Sequence, residues 1–277
     1  MTGASYFPAS RVWPRGILAL ARRDYAMMRT YRLGFALDFG FGFANLVVFY
    51  FISRTVQGVE DLDRLGGAPS YFAFVAVGIA LSAVISAASA GLAQRLREEQ
   101  FSGTLEMLVV QPMRLTELAA GLAAYPFLFA TFRAAFYILV GGGLLGLSFS
   151  QTSWVGFLVV LLASAAAFSG LGILLGALVL VVKRGTALVG LLIFVLGALS
   201  GAFFPLSVLP DWLEAIGRIL PTSYAFSGLR NAIFLGEDWA TSALILSAFA
   251  AVTIPLALVA FRMALDYTRR AGTLNQY

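Results

Sequence analysis

The sequence predicts an all-α membrane protein with six transmembrane helices. Hydrophobic residues make up 60% of the 277 residues, charged residues only 12%, and the mean hydropathy is +0.87. A soluble domain carries about 25% charged residues, roughly twice as many. Long uncharged runs recur along the chain, and in lipid each run must be helical because every backbone polar group needs a partner within its own segment.

Six runs reach the length of about 20 residues that crosses the hydrocarbon layer. They cover residues 34–56, 71–93, 122–147, 154–182, 186–204 and 240–261. We assign them to a single transmembrane domain that covers 1–277. It comprises an N-terminal interface segment at 1–33, a six-span core at 34–262 and a tail at 263–277.

The arginines predict the orientation of the spans. Six of them precede the first span, at Arg11, Arg15, Arg22, Arg23, Arg29 and Arg32. The loop after that span instead carries Glu60, Asp61 and Asp63. Because positive residues mark the cytoplasmic side, both termini are expected in the cytoplasm. Lysine occurs only at Lys183, a preference for arginine that indicates a GC-rich bacterial genome, and hence an inner membrane. The net charge of +5 requires no nucleic acid as a partner.

Residues 14–31 are predicted to form an amphipathic helix on the membrane surface. Its apolar side carries Ile17, Leu20, Met27 and Tyr31, and arginines occupy the other side. Asp24 interrupts the apolar side. No cleavage pattern follows this segment, so we interpret it as a retained anchor rather than a signal peptide.

The residue types that are missing limit the chemistry of this chain. It contains no Cys and no His, which excludes disulfides, His-ligated metals and Ser-His catalysis. Lys183 does not follow a glycine-rich loop, so the chain has no phosphate-binding loop for ATP. We therefore predict no catalytic residue, no metal and no cofactor on this chain, and no enzyme activity.

A short charged stretch, "REEQFSGTLEMLVV" at 97–110, separates the second and third runs. Gly103 is suited to the N-cap of a helix with Glu106 at its third position. Leu105, Leu108 and Val109 then share one face, and Pro112 ends the helix. From the residues alone, this two-turn helix either docks in a groove of another protein or rests on the bilayer surface.

Two stretches resemble the permeases of type-2 ATP-binding-cassette exporters. "REEQFSGTLEMLVVQP" is similar to the family's coupling helix, which contacts the ATPase between the second and third spans. "GAFFPLSVLPDWLEAIGRILPTSYAFSGLR", residues 201–230, resembles the outer re-entrant segment before the last span. The resemblance assigns the coupling role to Glu98, Glu99, Gly103, Thr104, Leu105, Glu106, Leu108, Val109 and Pro112, and places Pro205, Pro210, Pro221 and Arg230 in the outer segment.

The family implies an exporter driven by a partner. Two permease chains, which we expect to be identical, would assemble with two cytoplasmic ATPase subunits that bind ATP and Mg. The complex would move a lipid-linked, glycan or drug-like substrate outward by alternating access. The alternative is an ATP-independent channel or secondary transporter, which would carry ionisable residues near the membrane midplane.

Small and polar residues inside the spans leave two roles open. Gly78, Ser82 and Ser86 on the second span, and the pair Gly197 and Gly201, serve close helix packing or line a substrate path. In the outer segment, Trp212 shares a face with Ile216 and Leu220, which suits either a gate or a helix in the membrane interface.

Asp38 and Arg133 are the two charges that fit least well in lipid. An ionisable residue inside a span is a functional candidate by default, and pairing is its first alternative. We expect Asp38 and Arg133 to form an ion pair between the first and third spans. Otherwise each reaches the headgroups separately.

Overall fold

The computed structural model describes residues 13–30, 32–56, 65, 67–111, 115–147, 149–182 and 185–271. The regular structure in these ranges is entirely helical. In chain order the helices are α1 (Trp13–Thr30), α2 (Arg32–Val56), α3 (Tyr71–Phe101), α4 (Leu105–Val110), α5 (Leu115–Leu145), α6 (Trp154–Val181), α7 (Gly185–Ala198), a 3-10 turn (Leu206–Val208), α8 (Asp211–Ile219), α9 (Pro221–Arg230), which continues as a π turn (Asn231–Leu235), and α10 (Ala240–Ala271).

Five of the described helices, α2, α3, α5, α6 and α10, are long and apolar enough to cross a membrane. The fifth predicted run, 186–204, differs from the prediction because its helix α7 has only 14 residues. At 1.5 Å per residue it rises about 21 Å, short of the hydrocarbon thickness of about 30 Å. The hydroxyl of Ser200 donates to the Gly197 carbonyl and accepts from the Ala202 N–H, which ends the helix. Gly201 then turns the chain with a φ of 71°.

The two ends of the bundle are defined by α3. Its first end is capped by Ser70, whose hydroxyl accepts from the Ala73 N–H at 3.1 Å, and its last residue is followed by Ser102. At the Ser70 end α6 begins, and its Gly156 lies against Trp239, just before α10. At the Ser102 end α6 and α10 come together again through the buried side chains of Leu180 and Phe261. Helix α6 therefore runs parallel to α10 and also packs parallel to α3, where its Gly172 meets Ala88, while α2 lies at the periphery.

Glycines allow the central helices to approach closely. A Cβ on Gly172 of α6 would collide with the Ala88 carbonyl of α3, and one on Gly78 of α3 would collide with the Ala202 carbonyl in the turn after α7. Both contacts are with backbone, which cannot move aside as a side chain can. These small residues therefore set the spacing of α3, α6 and the 199–205 turn.

The two terminal helices differ in how well their ends were predicted. Helix α1 matches the predicted 14–31 segment within one residue. Helix α10 instead continues past the predicted end at residue 261, and much of the predicted tail 263–277 is helical. The reason is that Phe261, Leu265 and Thr268 remain buried on one face, so the helix has a packing surface beyond the apolar run.

Candidate functional site

The link from α3 to α4 is a Schellman motif. Gly103 has a left-handed φ of 70° and its N–H donates to the Gln100 carbonyl, while the Thr104 N–H donates to the Glu99 carbonyl, each at 3.0 Å. Gly103 therefore terminates α3 and is not the N-cap of α4 that the sequence predicted. Thr104 is the N-cap, so Glu106 is the second helical residue rather than the third.

Charged side chains join α1 to this link. Arg23 of α1 donates to the Glu99 carboxylate at 2.6 Å, and Thr104 donates to the same carboxylate. Arg23 also contacts Asp24 at 3.1 Å, and Arg95 lies 3.8 Å from the other Asp24 oxygen. We call these five side chains the junction cluster. The Asp24 side chain is fully buried and that of Glu99 is 10% exposed, so the cluster is an internal feature.

The electrostatics of the junction cluster favour its charged state. Burial by itself lowers the pKa of Arg23, but the charge and hydrogen bonds of Glu99 and Asp24 raise it by more. The net pKa lies above the ordinary arginine value. Arg23 therefore stays cationic and holds the two carboxylates together.

The apolar face of α4 packs inside its own chain. Leu105 is fully buried and Leu108 partly buried, in a cluster that includes Leu20 of α1 and Phe261 of α10. The face predicted either to dock in another protein or to rest on the bilayer thus contacts α1 and α10 of its own chain. The face left exposed carries Met107, with 71% of its surface accessible.

Other residues assigned to coupling divide between exposed, buried and undescribed positions. Glu98 is 63% exposed and pairs with Arg95 at 2.8 Å, whereas Glu99 faces inward. Phe101, which was not assigned to coupling, lies beside them at the end of α3 and is 63% exposed. The side chains of Glu106 and Val109, and the whole of Pro112, lie outside the described residues.

At the opposite end of the bundle, three prolines shape the segment between α7 and α10. Pro205 precedes the 3-10 turn, Pro210 precedes α8, and Pro221 is the first residue of α9. Proline suits such starts because its fixed φ fits the helix and its missing N–H has no partner there anyway. Helix α8 exposes Trp212 and Ile216 on one face.

Arg230 at the end of α9 ties this segment to α3. Its Nε and Nη2 donate to the Phe74 carbonyl at 3.3 and 3.1 Å, and Nη2 donates to the Ala202 carbonyl at 3.0 Å. The guanidinium lies 3.4 Å from the Phe74 ring centroid. Arg230 is only 5% exposed, and within the described ranges no carboxylate pairs with it.

Two cavities lie on either side of the 199–205 turn. The apolar cavity, about 460 Å³, lies between α3, α7 and α9 and is lined by Ser82, Ser86, Phe194, Gly197, Phe204 and Phe226, among others. The serine cavity, about 380 Å³, is lined by four serines together with Arg230, Arg218 and Glu214. Of the five small residues with an open role, Ser82, Ser86 and Gly197 thus line a cavity. Gly78 serves packing, and Gly201 forms the turn and borders the serine cavity.

Of the predicted ion pair, the structure describes the side chain of Arg133. Arg133 lies in the middle of α5 with its guanidinium 5.5 Å from the Phe129 ring centroid. The Asp38 side chain is outside the described residues. The adjacent Phe39 carbonyl accepts from the Tyr137 hydroxyl at 2.9 Å, one turn beyond Arg133, so α2 and α5 meet at this level.

The junction cluster and the serine cavity were not found from the sequence. Asp24 was noted only as an interruption of an apolar face, although a single acid in a helix with many arginines was a signal for an internal pair. The four serines of the cavity, Ser200, Ser207, Ser223 and Ser227, follow no spacing that distinguishes them from ordinary loop residues. In the described ranges, no group of acidic residues is arranged to hold a metal ion.

Comparison with known proteins decides the family. Residues 15–234 match the family model described as ABC-2 type transporter. The chain belongs to the ABC-2 type transporter family. The resemblance seen in the sequence is therefore confirmed, and the chain is a multi-pass membrane protein. The match contains α4, the junction cluster and both cavities, and it ends before α10.

Two curated relatives of this ABC-2 family chain are described as permeases. The inner membrane transport permease YadH of Escherichia coli (strain K12) is 26% identical over 192 residues, which cover 69% of this chain and 73% of YadH. The linearmycin resistance permease protein LnrN of Bacillus subtilis (strain 168) is 26% identical over 175 residues. That alignment covers 62% of this chain but only 45% of LnrN.

Proposed function

We propose that this chain is the permease subunit of an ATP-driven exporter. Family membership carries the proposal, and the relatives described as permeases support it. The sequence lacks a phosphate-binding loop, so energy would come from separate ATPase subunits that hold ATP and Mg. A lipid-linked, glycan or drug-like substrate would leave the cytoplasm by alternating access between two permease chains in a bacterial inner membrane.

Helix α4 is the proposed contact with the ATPase. Met107 is exposed, whereas Leu105 is buried among side chains of α1, α3 and α10. Because packed side chains transmit displacement rather than absorb it, a push on the Met107 face would move α3 and α1 together. The permease need not release Leu105 to bind its partner. This differs from docking through the apolar face.

The orientation follows from the arginines. The Ser102 end would face the cytoplasm, with both termini there, and the Ser70 end would face outward. Helix α7 and the turn after it would complete a sixth crossing. Helix α8 would lie in the outer interface, where Trp212 is favourable.

The apolar cavity is the proposed part of the substrate path. It opens beside α7, whose exposed side chains include Leu191 and Phe194 at 60% and 72% accessibility. A second permease chain, which we take to be identical, would cover this face and close the path between the two copies. Pro205, Trp212 and Arg230 would then belong to the gate on the outer side.

We also infer that Asp38 pairs with Arg133. Helices α2 and α5 meet at Phe39 and Tyr137, one residue and one turn from the two charges. Pairing would share the cost of placing them in lipid. Asp38→Asn and Arg133→Gln form a double-mutant cycle. If the two residues pair, the double variant should lose less stability than the sum of the two single losses. Strictly additive losses would contradict it.

Capture of the ATPase tests the proposed function. We expect the tagged chain to co-purify with an ATP-binding-cassette ATPase co-expressed from a neighbouring reading frame. Met107→Asp should reduce capture, because it places a charge on the exposed face of α4, while Met107→Leu should preserve capture. Absence of any ATPase from the wild-type complex would contradict the proposal.

A further inference from the structure

The serine cavity contains a positive charge that its protein partners do not neutralise. Arg230 is 95% buried, and its three described hydrogen bonds go to the carbonyls of Phe74 and Ala202. Its Nη1 makes no hydrogen bond to any described residue. Backbone carbonyls provide only partial charges, and a buried arginine is usually matched by a full anion.

The other charges of the cavity leave this imbalance in place. Arg218 pairs with Glu214 at 2.6 Å, so those two cancel, and the described lining has two arginines against one glutamate. Ser207 also lines the cavity with a hydroxyl that makes no hydrogen bond to the described residues. The hydroxyls of Ser200, Ser223 and Ser227 are already used by the Gly197, Gly217 and Tyr224 carbonyls. Arg230 and Ser207 are therefore the donors left for a ligand.

The apolar cavity lies close enough to the serine cavity for one ligand to occupy both. Ser200, Gly201 and Pro205 line the serine cavity, while Phe203 and Phe204 of the same turn line the apolar one. Phe226 lines the apolar cavity, and its ring centroid lies 5.7 Å from the Arg230 guanidinium carbon. A charged donor and an apolar surface thus lie side by side.

We propose that the serine cavity binds the anionic group of an acidic amphiphile, with Arg230 as the charged donor and the apolar cavity as the site of its hydrocarbon part. The inference rests on the proposed export function, since it names a substrate class for that path. A phosphate or a carboxylate fits the donors equally well. A guanidinium donates to either through charge-assisted hydrogen bonds.

The test uses three probes that separate head from tail. The full-length chain in phosphatidylcholine nanodiscs is titrated with octyl phosphate, with octylphosphocholine and with methyl phosphate, below their micelle concentrations. Octyl phosphate should bind at least about tenfold more tightly than either of the others, the equivalent of one charge-assisted hydrogen bond or a comparable apolar contribution. Equal binding of the anionic and zwitterionic octyl probes would overturn the proposal. Equal binding of methyl and octyl phosphate would overturn its amphiphile part.

Substitutions then locate the anion. Arg230→Gln should weaken octyl phosphate binding at least about tenfold. Because it also removes bonds to two carbonyls, a second pair leaves Arg230 intact: Ser227→Asp places a carboxylate in the lining, and Ser227→Asn is its neutral match. Only the aspartate should abolish the preference for the anionic probe. Equal affinity in the two Ser227 variants would show that the anion binds elsewhere.

A substitution that fills the apolar cavity tests whether the hydrocarbon tail of the ligand binds there. Ser86→Trp should weaken binding of octyl phosphate relative to Ser86→Ala, since the indole occupies the space of the hydrocarbon chain. No difference between these variants would contradict the placement of the tail. These titrations need no ATPase, so the two proposals can fail separately. Failed ATPase capture with intact probe binding would contradict the export function alone. Intact capture with failed probe binding would contradict this inference alone.

Discussion

The two ends of the bundle handle buried charge differently. At the Ser102 end, Arg23 contacts both Asp24 and Glu99, so cation and anions are provided by the same chain. At the Ser70 end, the hydrogen bonds of Arg230 to the described residues go only to carbonyls, and its guanidinium lies against the Phe74 ring. The first arrangement is complete without a ligand and ties three helices together. The second leaves a full charge to be matched. Internal pairing suits transmission of force, whereas an unmatched charge suits binding.

The largest effect is expected from the junction cluster. Glu99→Gln should lower the free energy of unfolding by about 3 kcal/mol, the low end for breaking a buried pair, because Arg23 is one-third exposed. Thermal unfolding of the purified chain measures the loss. Arg22→Gln on the exposed side of α1 is the matched control and should change stability by less than about 0.5 kcal/mol. Similar losses in both variants would mean that the cluster is not a structural tie.

Removing the charge of Arg230 should lower the free energy of unfolding less than removing that of Glu99. Arg230→Met removes hydrogen bonds to two carbonyls but leaves no side-chain charge without a partner, so we expect a loss of about 1–3 kcal/mol. Comparing its unfolding with that of Glu99→Gln sharpens the distinction between the two ends. A loss well above that of Glu99→Gln would indicate an anionic partner within the protein itself.

Gly103 should show a purely conformational effect. A Cβ at this position would meet no atom within 4 Å, but the φ of 70° disfavours L side chains. Gly103→Val should therefore lower stability by about 1–2 kcal/mol, while Gly103→Asn should cost much less because Asn adopts this conformation more readily. Thermal unfolding and ATP-driven transport of the two variants provide the measurements. If Asn is as damaging as Val, side-chain volume rather than backbone conformation is decisive.

The smallest effect is expected at α8. Trp212 is 66% exposed, so Trp212→Ala should leave unfolding in detergent within about 0.5 kcal/mol of wild type. In nanodiscs, quenching of tryptophan fluorescence by lipids brominated at defined depths should decrease in this variant relative to Trp154→Phe. An unchanged signal would place Trp212 outside the membrane interface.

How well the sequence predicted each feature of the fold depends on how far apart along the chain the residues lie that determine it. Composition alone predicted helices such as α3 and α6, because lipid leaves the backbone no other choice. The early end of α7 depends on a turn held against Gly78, more than 100 residues earlier, and it was missed. At α4, the Gly-Thr pair indicated a break, but Arg23 and Glu99 are separated by 76 residues and their contact was not predicted.

The same limit applies to the candidate site. Gly103 was recognised as a residue that shapes the link, yet the choice between ending α3 and starting α4 depends on hydrogen bonds to Gln100 and Glu99. Leu105 and Leu108 were correctly placed on one face. Which surface that face contacts is decided by α1 and α10, and periodicity along α4 contains no information about them.

Cysteine accessibility tests the central claim most directly, because the natural chain contains no Cys. Met107→Cys and Glu237→Cys place single thiols at exposed positions at opposite ends of the bundle. In intact cells, an impermeant maleimide should label Glu237→Cys from outside, and Met107→Cys only after permeabilisation. The partner ATPase should then protect Met107→Cys alone. Labelling of Met107→Cys from outside, or equal labelling of it with and without the ATPase, would contradict an ATP-driven permease coupled through α4.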